Sequence, residues 1–141
     1  MENKQIRKVI YTAKVHTVGG RDGGDSHSSD GRLDIRFSVP GTPGSGTNPE
    51  QLFAAGWSAC FLSGINIAAR KRNIKLPQDV SIDIEIDLCL TGETYSFQAR
   101  FNISVPGMEH ELAQSLADAA HQLCPYSKAT RGNIDVEINV I

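Results

Sequence analysis

Asn48-Pro49-Glu50-Gln51-Leu52-Phe53-Ala54-Ala55-Gly56-Trp57-Ser58-Ala59-Cys60-Phe61 opens the stretch whose reading decides the fold. Asn48 is suited to cap a helix, and Pro49 suits the first helical position, where the amide it lacks would have no partner anyway. Glu50 and Gln51 follow as the acidic and amide residues favoured in a first turn. The spacing predicts a helix over about 48–72. From Gln51 to Ala69 it carries no charge, and a helix apolar on most faces is normally buried on most faces. A membrane span needs about 20 apolar residues. This run is at the short limit, is interrupted by Gly56, Ser58, Ser63, Gly64 and Asn66, and lies among amphipathic strands. It reads as the central helix of a soluble core, with no membrane partner.

On either side the hydrophobic period changes from helical to two. Val9, Tyr11, Ala13 and Val15 alternate with Ile10, Thr12, Lys14 and His16, predicting a strand over 9–17 that Gly19-Gly20-Arg21-Asp22-Gly23-Gly24 breaks. Leu33, Ile35, Phe37 and Val39 alternate with Arg32, Asp34, Arg36 and Ser38 in a second strand, ended by Pro40. Beyond Pro77, Ile82, Ile84, Ile86, Leu88 and Leu90 alternate with Ser81, Asp83, Glu85, Asp87 and Cys89. A turn at Thr91-Gly92-Glu93 returns the chain through Tyr95, Phe97, Ala99, Phe101, Ile103 and Val105, the signature of an antiparallel hairpin. Leu112, Leu116, Ala119 and Leu123 form one helical stripe, Pro125 restarts a short helix, and Ile134, Val136, Ile138 and Val140 make a terminal strand. The expected fold class is α+β, with antiparallel hairpins packed on a long central buried helix and a second helix.

With 141 residues and 40% hydrophobic content, the chain fits one domain, 1–141, burying about 70% of its unfolded surface. A net charge of −2, with no basic cluster interleaved with aromatics, gives no field to gather phosphates, so no nucleic-acid partner is expected. The N-terminus lacks the apolar core and cleavage site of a secretory signal, which favours a cytoplasmic location. Three cysteines without a short-spaced pair make neither a disulfide framework nor a Cys-x-x-Cys site. In a reducing compartment a disulfide here is transient and catalytic.

Gly41-Thr42-Pro43-Gly44-Ser45-Gly46-Thr47 imitates a phosphate-binding loop, but Thr47 stands where that motif needs lysine, and the prolines constrain the amide donors. His121 and Cys124 have an i, i+3 spacing that suits a shared metal, yet zinc wants three or four ligands and spacing supplies no third. No metal and no cofactor is expected. Cys124, ahead of Pro125, suits a helix N-cap, where orphan amides and the macrodipole stabilise a thiolate. Cys60, mid-helix in apolar company, reads on spacing alone as a core cysteine. Cys89 falls on the polar side of its strand and takes no role.

The Asn48 to Phe61 stretch, together with Gly19-Gly20-Arg21-Asp22-Gly23 and Cys124-Pro125-Tyr126-Ser127, resembles the organic hydroperoxide resistance (Ohr) family of the Ohr/OsmC superfamily. The resemblance runs nearly end to end, with the motifs in order. It implies a thiol peroxidase that reduces organic hydroperoxides, with Cys60 as the reactive cysteine, Cys124 as the resolving cysteine, and Arg21 and Glu50 around the reactive thiol. It further implies an intertwined homodimer and an external dithiol reductant, a lipoyl group on a lipoylated protein. Trp57 stands where relatives more often have tyrosine, and Cys89 is additional. Two other readings are an OsmC-type peroxidase of broader range and a non-catalytic dimeric module binding a lipid or small apolar ligand.

If Cys60 is the nucleophile, its apolar helix disfavours the thiolate, and the permanently charged fork of Arg21 is the group to reverse that. Glu50 must then face Arg21 rather than the sulfur, since like charges about 4 Å apart repel by roughly 4 kcal/mol at an effective dielectric of 20. Ten residues of helix put Glu50 and Cys60 about 15 Å apart and roughly 80° off a common face. Two such helices crossing about a two-fold axis near Ala54, Ala55 and Gly56 would bring each Glu50 to the partner's thiol. Leu52, Phe53 and Phe61 are expected to supply apolar walls favouring alkyl or lipid hydroperoxides over hydrogen peroxide.

Overall fold

The computed structural model describes residues 5–141, arranged as two compact units that divide at Pro49 and Glu50. In the N-terminal unit, β1 (Val15–Val18), β2 (Asp25–Ser28) and β3 (Asp34–Arg36) form an antiparallel sheet in that order. β1 is shorter than the alternation over 9–17 predicts, and begins later. Pairing runs from Val18 opposite Asp25 to Val15 opposite Ser28, and one further bond joins the Ser29 amide to the Lys14 carbonyl at 2.9 Å. Beyond that β2 turns away: Asp30 accepts from the Ser28 hydroxyl at 2.6 Å and from the Arg32 amide at 3.0 Å. Residues 9–13 therefore have the pattern of a strand without a ladder partner among the described residues. Val9, Ile10 and Tyr11 stand 74%, 91% and 76% exposed.

The second strand also ends early. After Arg36 the backbone of Phe37 bridges Thr47, with the Thr47 amide donating to the Arg36 carbonyl at 2.9 Å and the Ser38 amide to the Thr47 carbonyl at 3.0 Å. The Gly46 amide donates to the Ser38 hydroxyl at 2.8 Å. Amides of the Gly/Pro loop are thus committed to folding the loop on itself.

The C-terminal unit opens with α1 (Pro49–Lys71), whose start and length follow the sequence expectation. Its end is a Schellman-type cap: the Ile74 amide reaches the Ala69 carbonyl at 2.8 Å, the Asn73 amide reaches Arg70 at 3.1 Å, and Asn73 takes the left-handed conformation at φ 54°. β4 (Ser81–Thr91) and β5 (Thr94–Ser104) form the expected hairpin, with Thr91 opposite Thr94 and Gly92 at φ 61° in the first loop position, where two-residue hairpins take glycine. α2 (His110–Leu123) and α3 (Pro125–Thr130) follow, and β6 (Asp135–Val140) joins β5 in parallel. The sheet is therefore mixed, in the order β4-β5-β6. A parallel neighbour requires a crossover, and the helical segment between Ser104 and Asp135 supplies it over the sheet's apolar face.

β5 is the central strand, and its Ala99, Phe101 and Ile103 meet Trp57, Phe61 and Ile65 of α1 and Leu116, Ala117 and Ala120 of α2 in one core. Trp57 packs edge-on against Phe101 with centroids 4.9 Å apart, and Phe61 tilts against the same ring at 4.8 Å. Two expectations need correction here. The α2 stripe of Leu112, Leu116, Ala119 and Leu123 is rotated: the buried face is Ala113, Leu116, Ala117 and Ala120, and Leu123 is 42% exposed. Of these, Ala120 lies against Gly64 of α1, where a longer side chain would be crowded. α1, for its part, is buried along only one face of the single chain, with Ala55, Ala59, Ser63, Asn66 and Ile67 exposed.

On the sheet's polar face the Arg100 guanidinium grips Asp87 through two bonds of 2.7 and 2.9 Å, and Gln98 donates to the same carboxylate at 2.6 Å. These bonds, Arg100's first, lower the Asp87 pKa to about 2. A carboxyl depressed in the folded state adds stability above its unfolded value, about 3.9. That contribution disappears as pH falls through the folded value. Asp87→Asn should accordingly lower the thermal midpoint at pH 7, with the two melting curves converging as the pH approaches about 2. A constant difference across an acid titration followed by circular dichroism would contradict this account.

Candidate active site

In the C-terminal unit α1 packs against the α2–α3 segment, and the contacts between them run antiparallel. At Gly64 a β-carbon would lie 3.1 Å from the Ala120 β-carbon, a tight contact that would require Ala120 to give way by a few tenths of an ångström. One turn back along α1, Cys60 meets Cys124, and one turn before that, Trp57 meets Ser127 through an indole N–H bond of 3.0 Å to the hydroxyl. Gly56 lies under the Tyr126 phenol in the same way. Small residues at each end let the helices close, and the two sulfurs fall between them.

Cys124 occupies the junction itself, at once the C-cap of α2 and the N-cap of α3. Its amide donates to the Ala120 carbonyl at 2.9 Å, its carbonyl accepts from Lys128 at 3.0 Å, and its side chain is 1% exposed. Pro125 breaks the helix here because it cannot donate the next amide, and its fixed φ starts α3. Cys124 makes no side-chain capping bond. The expectation that helix-terminal amides would serve Cys124 is thereby revised: the Tyr126 amide, in the first turn of α3, is directed at Cys60.

Cys60 is half-buried on α1. Burial raises its pKa first, and the hydrogen bond with Cys124 raises it further by favouring the thiol. The Tyr126 amide acts the other way, favouring the thiolate. Within this unit the upward influences prevail. Cys89 is half-buried on β4, opposite Ser96.

Glu50 lies in the first turn of α1, half-buried, and the unbroken helix keeps it about 15 Å along the axis from Cys60. Arg21 is exposed in the turn between β1 and β2 of the N-terminal unit. That turn is shaped, with Gly19, Gly20 and Gly23 at φ 74°, 71° and 87°, and with a β-carbon on Gly24 colliding with the Val18 and Gly20 carbonyls. Of the expected apolar walls, Phe61 is corrected: it is fully buried against Phe101. Phe53 packs among Trp57, Phe97 and Tyr126, at centroid distances of 5.4, 5.4 and 6.2 Å, and is half-buried. Leu52 is half-buried in the turn before it. Among the described residues, no three His, Cys, Asp or Glu side chains gather where they could hold a metal ion.

Sequence reasoning overlooked Ser127 and the Tyr126 amide. The signal available was spacing, since Trp57 and Cys60 share one helix face at i, i+3, and Cys124 and Ser127 repeat the interval across Pro125.

A long uncharged helix whose cysteine meets a second at a helix junction, over a mixed sheet, defines a paired-thiol α+β protein. The OsmC-like protein family matches residues 42–139. An organic hydroperoxide resistance protein of Xanthomonas axonopodis pv. citri is 46% identical over 137 residues, covering 94% of this chain and 96% of its own. Among solved structures, an organic hydroperoxide resistance protein from Legionella pneumophila superposes with a TM-score of 0.88 at 39% identity, over 94% of this chain and 98% of that one. OhrB of Bacillus subtilis gives 0.84 at 37%, over 94% and 100%. The chain belongs to the organic hydroperoxide resistance family of OsmC-like proteins.

Because the Cys124 sulfur raises the Cys60 pKa, Cys124→Ala should shift the pH profile of Cys60 alkylation by iodoacetamide to lower pH. Peptide mass mapping would follow the site, and a shift to higher pH would contradict the geometry described.

Proposed function

We propose that this protein is a cysteine-based peroxidase that reduces organic hydroperoxides to alcohols. The observation that carries the reading is the meeting of Cys60 and Cys124, with the Tyr126 amide directed at the Cys60 sulfur. The names of the related proteins support the substrate class.

In the reaction, the Cys60 thiolate attacks the peroxide oxygen–oxygen bond. The distal oxygen stays on sulfur as a sulfenic acid, and the other leaves as alkoxide, taking a proton to become the alcohol. The Cys124 thiol then attacks the sulfenic sulfur, forming the disulfide and releasing water. A dithiol, a lipoyl group on a lipoylated partner, reduces the disulfide by exchange and leaves as its own cyclic disulfide. Burial and Cys124 hold the resting Cys60 thiol up, so a cation is required to ionise it. Arg21 takes that role and stabilises charge developing on the peroxide, while Glu50 orients the guanidinium.

The proposal includes a cytoplasmic homodimer. The uncharged α1 face of Ala55, Ala59, Ser63 and Ile67 lies exposed in one chain, as do Val9, Ile10 and Tyr11, whose strand pattern has no ladder partner among the described residues. Leu88, Leu90 and Tyr95 at the hairpin tip are exposed as well. Crossing α1 with its copy would bring each Glu50 toward the other chain's Cys60, making each site shared.

One equivalent of tert-butyl hydroperoxide should consume two thiols per chain and leave a bond between Cys60 and Cys124, with Cys89 still alkylatable. Arg21→Ala should lower kcat/KM by about 100-fold, the scale of losing one electrostatic stabiliser. No thiol loss in the wild type would replace the enzyme reading with a binding role. Mixing inactive Cys60→Ser and Glu50→Ala subunits should restore activity in heterodimers, and no recovery would place both groups in one chain.

A further inference from the structure

Trp57 and Ser127 form a buried polar rung one helical turn from the paired sulfurs. The indole N–H donates to the Ser127 hydroxyl at 3.0 Å, and both residues are fully buried. α3 has only six residues, too short to hold its own position. Its buried side chains are Ser127 and Thr130. The Thr130 hydroxyl bonds back to carbonyls of its own helix, Tyr126 at 2.8 Å and Ser127 at 3.2 Å. Ser127 is thus the buried α3 side chain whose hydrogen bond reaches α1.

We propose that Trp57 is a positioning residue for disulfide closure, seating α3 on α1 so that Cys124 is presented to oxidised Cys60. This rests on the reading of Cys60 as the attacked thiol and Cys124 as its resolver. An indole N–H in an apolar core is costly without an acceptor, so one seat of α3 satisfies the pair and displaced seats do not. Disulfide geometry is exacting, with β-carbons about 3.8 Å apart and a dihedral near 90°, so a small drift of α3 slows closure. Trp57 is held from the other side by Phe53 and Phe101, at centroid distances of 5.4 and 4.9 Å, which makes it a rigid reference for α3. The step itself is balanced: the Cys124 sulfur bonds to the Cys60 sulfur, the sulfenic oxygen departs, and the Cys124 proton leaves with it as water.

The test separates oxidation of Cys60 from closure by rapid quenching with a sulfenic-acid trap and mass mapping, in wild type, Trp57→Phe, Ser127→Ala and the double variant. Closure should slow about tenfold in each single variant, the rate equivalent of one ordinary hydrogen bond. The double variant should be no slower than the singles, and Cys60 sulfenic acid formation, which feels α3 only through the Tyr126 amide, should slow less than closure does. Trapped sulfenic acid, and sulfinic acid at excess peroxide, should rise accordingly. The double variant leaves no orphan polar group, so it keeps the test valid if a single variant fails to fold. Closure at the wild-type rate in the double variant would overturn the proposal, because any slowing in the singles would then reflect an orphaned polar group. Variants in which oxidation slows as much as closure would also overturn it, in favour of a general structural role. A wild type that loses no thiols would instead remove the peroxidase reading and this inference with it.

Discussion

Everything chemical in this molecule depends on how closely α1 can approach the α2–α3 segment. Gly64 packs tightly against Ala120 and Gly56 lies under the Tyr126 phenol, in the same antiparallel register in which Cys60 faces Cys124. Side chains three or four apart on a helix share a face, so fixing one rung fixes the next. Cores are close-packed and do not deform continuously. The separation of the sulfurs is therefore governed by packing a turn away as well as by the cysteines.

That packing creates an electrostatic difficulty. A half-buried thiol beside a second thiol is held above its ordinary pKa, which is the wrong direction for a nucleophile. The opposing influence within the same unit is the Tyr126 amide, directed at Cys60 by the restart of the helix at Pro125. A proline that ends one helix and starts another thus places a donor beside one cysteine while seating the other. Arg21, in a glycine turn held in left-handed backbone, has a guanidinium that stays charged at any relevant pH. The resting thiol and the cation expected to ionise it lie in different units of the chain.

Exposure completes the physical description. An uncharged helix usually finds cover on most sides, yet α1 covers only its Trp57, Phe61, Ile65 side within one chain. Apolar residues of the N-terminal segment and the hairpin tip are also open to solvent. Side chains of this kind are ordinary when scattered singly; along one face of a helix they mark surface that association would cover.

The sequence by itself determined the elements whose signals are local. Pro49, Glu50 and the uncharged run define α1, period-two alternation around Gly92 defines the β4–β5 hairpin, and Pro125 defines the α2–α3 break, because caps, turns and alternation act over a few residues. The motifs also carried the family and the candidate cysteines. Other features were decided only by tertiary structure. Whether residues 9–13 form a strand depends on a partner edge that β2 withdraws at Asp30. Which face of α2 is buried depends on what packs against it, and that face turned out to be Ala113, Leu116, Ala117 and Ala120, with Ala120 against Gly64 of α1. The parallel placement of β6 and the pairing of Trp57 with Ser127 are contacts between residues far apart in the chain. Local propensity has no term for such contacts, and they are what turn two unremarkable cysteines into a pair.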